Sequence, residues 1–170
     1  MIIRDADKLE LEFIRKQRIS SYEEHARVIP DGHWLALKKA ISSNVDNQPG
    51  VEQIVAEING EIIGSVVLFP ARIKAYDGSV EELAYPEIRM LAVPIHARGR
   101  GVAKALVAEC TRRAKEKGYH SIGLHTGEFM ENAIGLYERL GFERVPQYDF
   151  EPAADGIIVK AYKLSLETGK

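Results

Sequence analysis

The chain has 170 residues, 45% of them hydrophobic and 28% charged, with 7 prolines and a formal net charge of −2. That composition excludes a disordered or collagen-like protein, and the length suits one compact domain with a continuous core. So small a net charge gives no basis for a nucleic-acid or membrane-surface partner, no run approaches the ~18 apolar residues of a membrane span, and the lone Cys110 rules out an intrachain disulfide. Met1 to Asp7 has no apolar leader. The expectation is a single cytoplasmic domain over residues 1–170.

Met1 to Arg4 reads as a short strand, and Asp7 with Glu10 as a capping box opening a helix to about Ser21. Trp34, Leu37 and Ile41 recur at helical spacing after Asp31, and a polar connector, Ser42 to Gly50, follows. Gln53–Ile58 and Glu61–Phe69 flank Asn59-Gly60, a pair suited to the positive φ angles of a type I′ hairpin turn. A polar excursion around Asp77-Gly78 leads to a strand over Ala84–Val93. Beyond Pro94 the period becomes helical: Val102, Leu106, Cys110 and Ala114, with Ala103 and Val107, form an apolar stripe closed by Gly118. A strand (Tyr119–Thr126), a helix (Asn132–Leu140) stopped by Gly141, and two strands (Phe142–Val145, Gly156–Leu166) complete the chain. The order βααβββαβαββ predicts an α/β fold: a mixed, mostly antiparallel sheet with flanking helices and one right-handed parallel crossover, Ala84 to Thr126.

Charge is unevenly placed. From Arg98 to Lys117 seven basic residues face two acids, a local +5 in a chain whose remainder is −7. At its start a strand ends, and the loop Arg98-Gly99-Arg100-Gly101 runs into a helix. A helix N-terminus has unpaired N–H donors and a positive dipole end, and arginines suit phosphate geometry, so this stretch predicts a pyrophosphate site. It is not a Walker loop, because Val102 and not Lys follows Gly101, nor a Rossmann loop, because Lys104 stands where Gly or Ala is needed.

Arg98-Gly99-Arg100-Gly101-Val102-Ala103 does fit the pattern Arg/Gln-x-x-Gly-x-Gly/Ala, and the chain here resembles the GNAT superfamily of acyl-CoA-dependent N-acetyltransferases. Ile88 to Val93 resembles the central strand of that family, and Asn132-Ala133 with Leu136 to Phe142 its later helix and strand. The likeness covers Gln53 to Val145. It implies transfer of an acetyl group from acetyl-CoA to a primary amine, carried by a small molecule or a peptide, within a ternary complex and without a metal. It also implies that residues 98 to 103 cradle the CoA pyrophosphate and that Leu91, Ala92 and Val93 pair with the pantetheine arm. Homodimers occur among such domains. A binding module that senses acyl-CoA without turnover is the alternative.

The same resemblance assigns roles to single residues. Tyr137 takes the general-acid position, against a plain packing role, and Asn132 is either a CoA contact or a helix cap. Glu87 is the general-base candidate: in a regular strand it would share a face with Leu91 and Val93, whereas a bulge would change that register, and Arg89 offers it an ion pair instead. Glu128 is a second carboxylate candidate. His125 either lines the cleft or is a satisfied structural histidine, and Cys110 falls on the buried stripe of its helix. Acceptor specificity is expected in Tyr22, Glu23, Glu24 and Trp34, in Arg72 to Tyr85, and in Tyr148 to Asp155.

Overall fold

Apolar periodicity sets the elements found. In a computed structural model, which describes residues 1–72 and 83–166 apart from the side chain of Val45, they are β1 (Ile2–Asp5), α1 (Leu11–Tyr22), α2 (Asp31–Ser42), β2 (Glu52–Ile58) and β3 (Glu61–Phe69). There follow β4 (Glu87–Ala92), α3 (Val102–Glu116), β5 (Ser121–Gly127), α4 (Glu131–Arg139), β6 (Glu143–Arg144) and β7 (Val159–Ser165). This is the predicted order. The excursion around Asp77-Gly78 lies outside the described residues. The capping box at Asp7 and Glu10 is present, but it opens a 3₁₀ turn, Lys8–Glu10, and α1 begins only at Leu11. Asn59 and Gly60 take φ of 51° and 80°, the two left-handed centres of the expected hairpin turn.

The sheet order is β1-β2-β3-β4-β5-β7-β6, and β4–β5 is the one parallel pair among the described residues. On one face α3 buries Val102, Leu106, Val107, Cys110 and Ala114 in a core with Ile54, Val66, Leu68, Ile88, Ile122 and Leu124. Gly64 lets the first turn of α3 lie close on β3, since a Cβ there would come within 2.8 Å of Val102 Cγ1. On the other face Ile14 of α1 packs against Val55 and Ile62.

A buried charge network also sits on that second face. Arg18, fully enclosed, donates to Asp46 Oδ2 at 3.1 Å and to the Ile41 carbonyl at 2.8 Å, while Arg15 reaches Asp46 Oδ1 at 2.7 Å. Burial pushes the Asp46 carboxyl up, but the two arginines outweigh it and hold it below the usual carboxylate range. Removing one partner of such a pair strands a buried charge, so Asp46→Asn is expected to lower stability by about 3 kcal/mol in urea unfolding. Because the native pKa lies below the unfolded one, the wild-type contribution is complete above the ordinary Asp pKa and lost as pH falls through the native value. An unchanged urea midpoint in the variant would show that the pair contributes nothing.

Candidate active site

The site begins where the sheet comes apart. β4 and β5 are in register only at Glu87↔Gly123 and Ile88↔Leu124, whereas β5 stays paired with β7 as far as Gly127↔Val159. The cause lies in β4. Met90 takes φ 55°, and between Val67↔Arg89 and Ser65↔Ala92 the strand has one residue more than β3. This bulge bends β4 away from β5 and leaves a gap between their C-terminal ends. It also reverses the alternation. Before it Arg89 faces Val67, with Ile88 toward β5; after it Ala92 faces Ser65, so the Leu91 carbonyl and the backbone N–H and C=O of Val93 turn to the gap.

At the mouth of the gap a 3₁₀ turn (Ile95–Ala97) leads through Gly99 and Gly101, with φ of 80° and 78°, into α3. Gly101 is the N-cap and offers no side-chain cap, and Gly99, Arg100 and Gly101 are exposed. Among the described residues the N–H groups of residues 99 to 104 have no hydrogen-bond acceptor; the first helical bond is Ala105 N–H to the Gly101 carbonyl. The glycines are needed because two left-handed residues turn these amides outward together, a conformation that costs other residues about 1–2 kcal/mol each. Arg100 has no ion-pair partner among the described residues. Such a run of amides at a dipole's positive end fits a pyrophosphate, and Arg100 adds charge.

Arg98 behaves differently. Its guanidinium donates to both Glu24 oxygens at 2.8 and 2.9 Å, to the Ser21 carbonyl at 3.2 Å and to the Val93 carbonyl at 3.0 Å, and its N–H goes to Ile95. Its donors are committed within the protein.

Tyr137, on α4, is buried and meets Phe142 edge-on at 5.8 Å. Burial drives its phenol well above the usual tyrosine range, with Tyr22 and Cys110 adding to the effect, and its hydroxyl has no partner among the described residues. Burial pushes the Cys110 thiol up to about 12, which leaves a core residue and no nucleophile. Asn132 is an exposed residue in the first turn of α4; the N-cap is Met130, so the capping alternative does not hold. Glu128 accepts the Ile158 N–H at 2.9 Å and pins that backbone.

For Glu87 the bulge decides. It lies with Arg89 on one face, while Leu91 and Val93 pack on the α3 side. The shared face expected for a regular strand is not found. Glu87 is 3% exposed, with Oε1 accepting from Arg89 at 2.8 Å and Oε2 lying 2.6 Å from His125 Nδ1. Burial pushes its carboxyl up, but His125 and Arg89 outweigh this and hold it below the usual range. His125 Nε2 lies 3.0 Å from the Tyr148 carbonyl, which only accepts, so that nitrogen carries a proton. The ion-pair alternative is thus the one observed, and His125 is the satisfied histidine.

A sequence model of the acetyltransferase (GNAT) family matches residues 12–142. The chain belongs to the GNAT family. An acetyltransferase of Pectobacterium atrosepticum is 37% identical over 112 residues, 66% of this chain and 71% of that protein. N-acetyltransferase family 8 member 2 of Rattus norvegicus is 34% identical over 94 residues, 55% of this chain, which spans only 39% of that relative's length. The PaiA N-acetyltransferase of Thermoplasma acidophilum, solved in complex with coenzyme A, superposes with a TM-score of 0.69 at 16% identity, over 96% of this chain and 98% of that one. The mixed sheet with flanking helices is the GNAT fold.

Within this GNAT chain, side chains that no motif flags join two of the segments expected to set acceptor specificity, the N-terminal helices and the loop before β7. Phe129, after β5, meets the rings of His25 and His33 at 5.3 and 5.6 Å. His33 Nδ1 lies 2.8 Å from Asp155 Oδ2, which ties α2 to the loop before β7. Tyr22, near the end of α1, donates its hydroxyl to the Leu91 carbonyl at 2.9 Å. These contacts depend on tertiary approach, and no local sequence signal marks them. Among the described residues no helix is long and apolar enough to cross a membrane, and no group of His, Cys, Asp and Glu converges to hold a metal.

Proposed function

We propose that the chain transfers the acetyl group of acetyl-CoA to a primary amine, on a small molecule or a peptide, by direct attack in a ternary complex. The observation that carries this is the run of unpaired amides at residues 99 to 104, set at the mouth of the gap between β4 and β5. Those amides, with Arg100, would hold the pyrophosphate, and Leu91, Ala92 and Val93 would line the pantetheine arm. Asn132, exposed at the start of α4, is left for a contact with the CoA moiety. An N–H at the open edge would polarise the thioester carbonyl, and Tyr137, neutral throughout the working pH range, would give a proton to the departing thiolate. The buried thiol of Cys110 favours direct transfer over an acyl-enzyme.

The test is thiol release from acetyl-CoA in the presence of a panel of primary amines. Release that depends on one amine supports the reading; CoA binding without release for any amine would favour the sensor module instead.

Glu87 belongs to the network beneath the gap, and its low pKa makes it a poor proton acceptor at neutral pH. Glu87→Gln is expected to destabilise the fold by about 3 kcal/mol, because Arg89 and His125 lose their shared counter-charge. The wild-type contribution, from a lowered carboxylate pKa, disappears only in acid. The rate should still rise with pH toward the amine pKa, as in the wild type. An acid limb displaced in the variant would restore Glu87 as the base.

A further inference from the structure

The open edge of β4 has two carbonyls facing the gap, those of Leu91 and Val93, and both are already taken. The Leu91 carbonyl accepts the Tyr22 hydroxyl at 2.9 Å, and the Val93 carbonyl accepts Arg98 Nε at 3.0 Å. Both donors are tied to one place, the end of α1: Tyr22 is its last residue, and Arg98 also grips the Ser21 carbonyl and Glu24. A donor on the same edge remains open: the Val93 N–H has no partner among the described residues.

An edge offering donors and acceptors alternately accepts an extended ligand in several registers and in either direction. An edge offering donors alone accepts carbonyl oxygens only. We propose that Tyr22 and Arg98 are positioning residues that close the two carbonyls of the open β4 edge, so that the pantetheine arm docks in one register, with a carbonyl oxygen on the Val93 N–H. This rests on the CoA reading above. It also moves the first arginine of the loop from the phosphates to the arm: Arg100 and the loop amides hold the diphosphate, and Arg98 sets the edge.

The two assignments separate in binding measurements with CoA and with its nucleotide half, adenosine 3′-phosphate 5′-diphosphate, which lacks the arm. Calorimetry on Arg98→Met should show CoA affinity lowered about tenfold, the scale of one charge-assisted hydrogen bond, with affinity for the nucleotide half within about twofold of wild type. Tyr22→Phe keeps the half-buried ring, guards against a folding artefact, and should show the same selective loss at about threefold to tenfold. Arg100→Met should weaken both ligands alike. Equal losses for CoA and the nucleotide half in Arg98→Met would make Arg98 a phosphate ligand and overturn the proposal, as would CoA affinity unchanged in both Arg98→Met and Tyr22→Phe. If the wild-type protein binds neither ligand, the CoA reading itself fails, an outcome distinct from either.

Discussion

Gly101→Leu is expected to lower CoA affinity by about a hundredfold or more while the protein still folds, as measured by calorimetry and thermal unfolding. Gly101 stands at φ 78° at the N-cap of α3, and the space where its Cβ would lie is open. A leucine therefore meets no clash. What it meets is left-handed strain of about 1–2 kcal/mol, worth a few degrees in melting temperature for a chain of this size. The binding loss has another origin. To relieve the strain the loop must rotate φ, and that swings the N–H groups of residues 99 to 104 out of their common direction. Several donors aimed at one diphosphate are lost together. Gly60→Leu supplies the control, because Gly60 has nearly the same φ, 80°, and equally open surroundings, but sits at the β2–β3 turn. It should lower the melting temperature by a similar amount and leave CoA affinity unchanged. Wild-type affinity in Gly101→Leu would remove the loop from the cofactor site.

The fold was largely legible in the sequence, because each element is marked by a local signal that tertiary packing reinforced. Asn59-Gly60 marks its hairpin, and the stripe Val102, Leu106, Cys110 and Ala114 marks α3. The loop was legible for the same reason, since glycines on both sides of Arg100 advertise left-handed backbone. What was not legible is register. The extra residue of β4 is Met90, a side chain with no particular liking for φ 55°, so nothing in the sequence marks the bulge. That one residue puts Glu87 on the face opposite Leu91 and Val93, where Arg89, two residues along the strand, and His125 of β5 pair with it. Arg98 has partners that its sequence position did not announce. Residue type and position suit a phosphate, but the end of α1, distant in sequence, brings Glu24 and the Ser21 carbonyl within reach first. Long-range partners of this kind leave no periodic trace.

Tyr137→Phe should lower turnover about a hundredfold or more while changing CoA affinity less than twofold, provided the hydroxyl gives its proton to the departing thiolate. The substitution is unusually clean here. The Tyr137 hydroxyl has no partner among the described residues, so removing it strands no donor or acceptor, and the ring keeps its edge contact with Phe142. Stability should therefore hold. The raised phenol pKa carries a second consequence. Burial favours the neutral form, so the proton is present at every pH at which the enzyme is folded and active, and Tyr137 imposes no falling limb below about pH 10. The wild-type and variant profiles should thus be parallel, displaced by a constant factor. A side chain with only a packing role predicts instead that turnover is unaffected, and normal turnover in Tyr137→Phe would take the residue out of the chemistry.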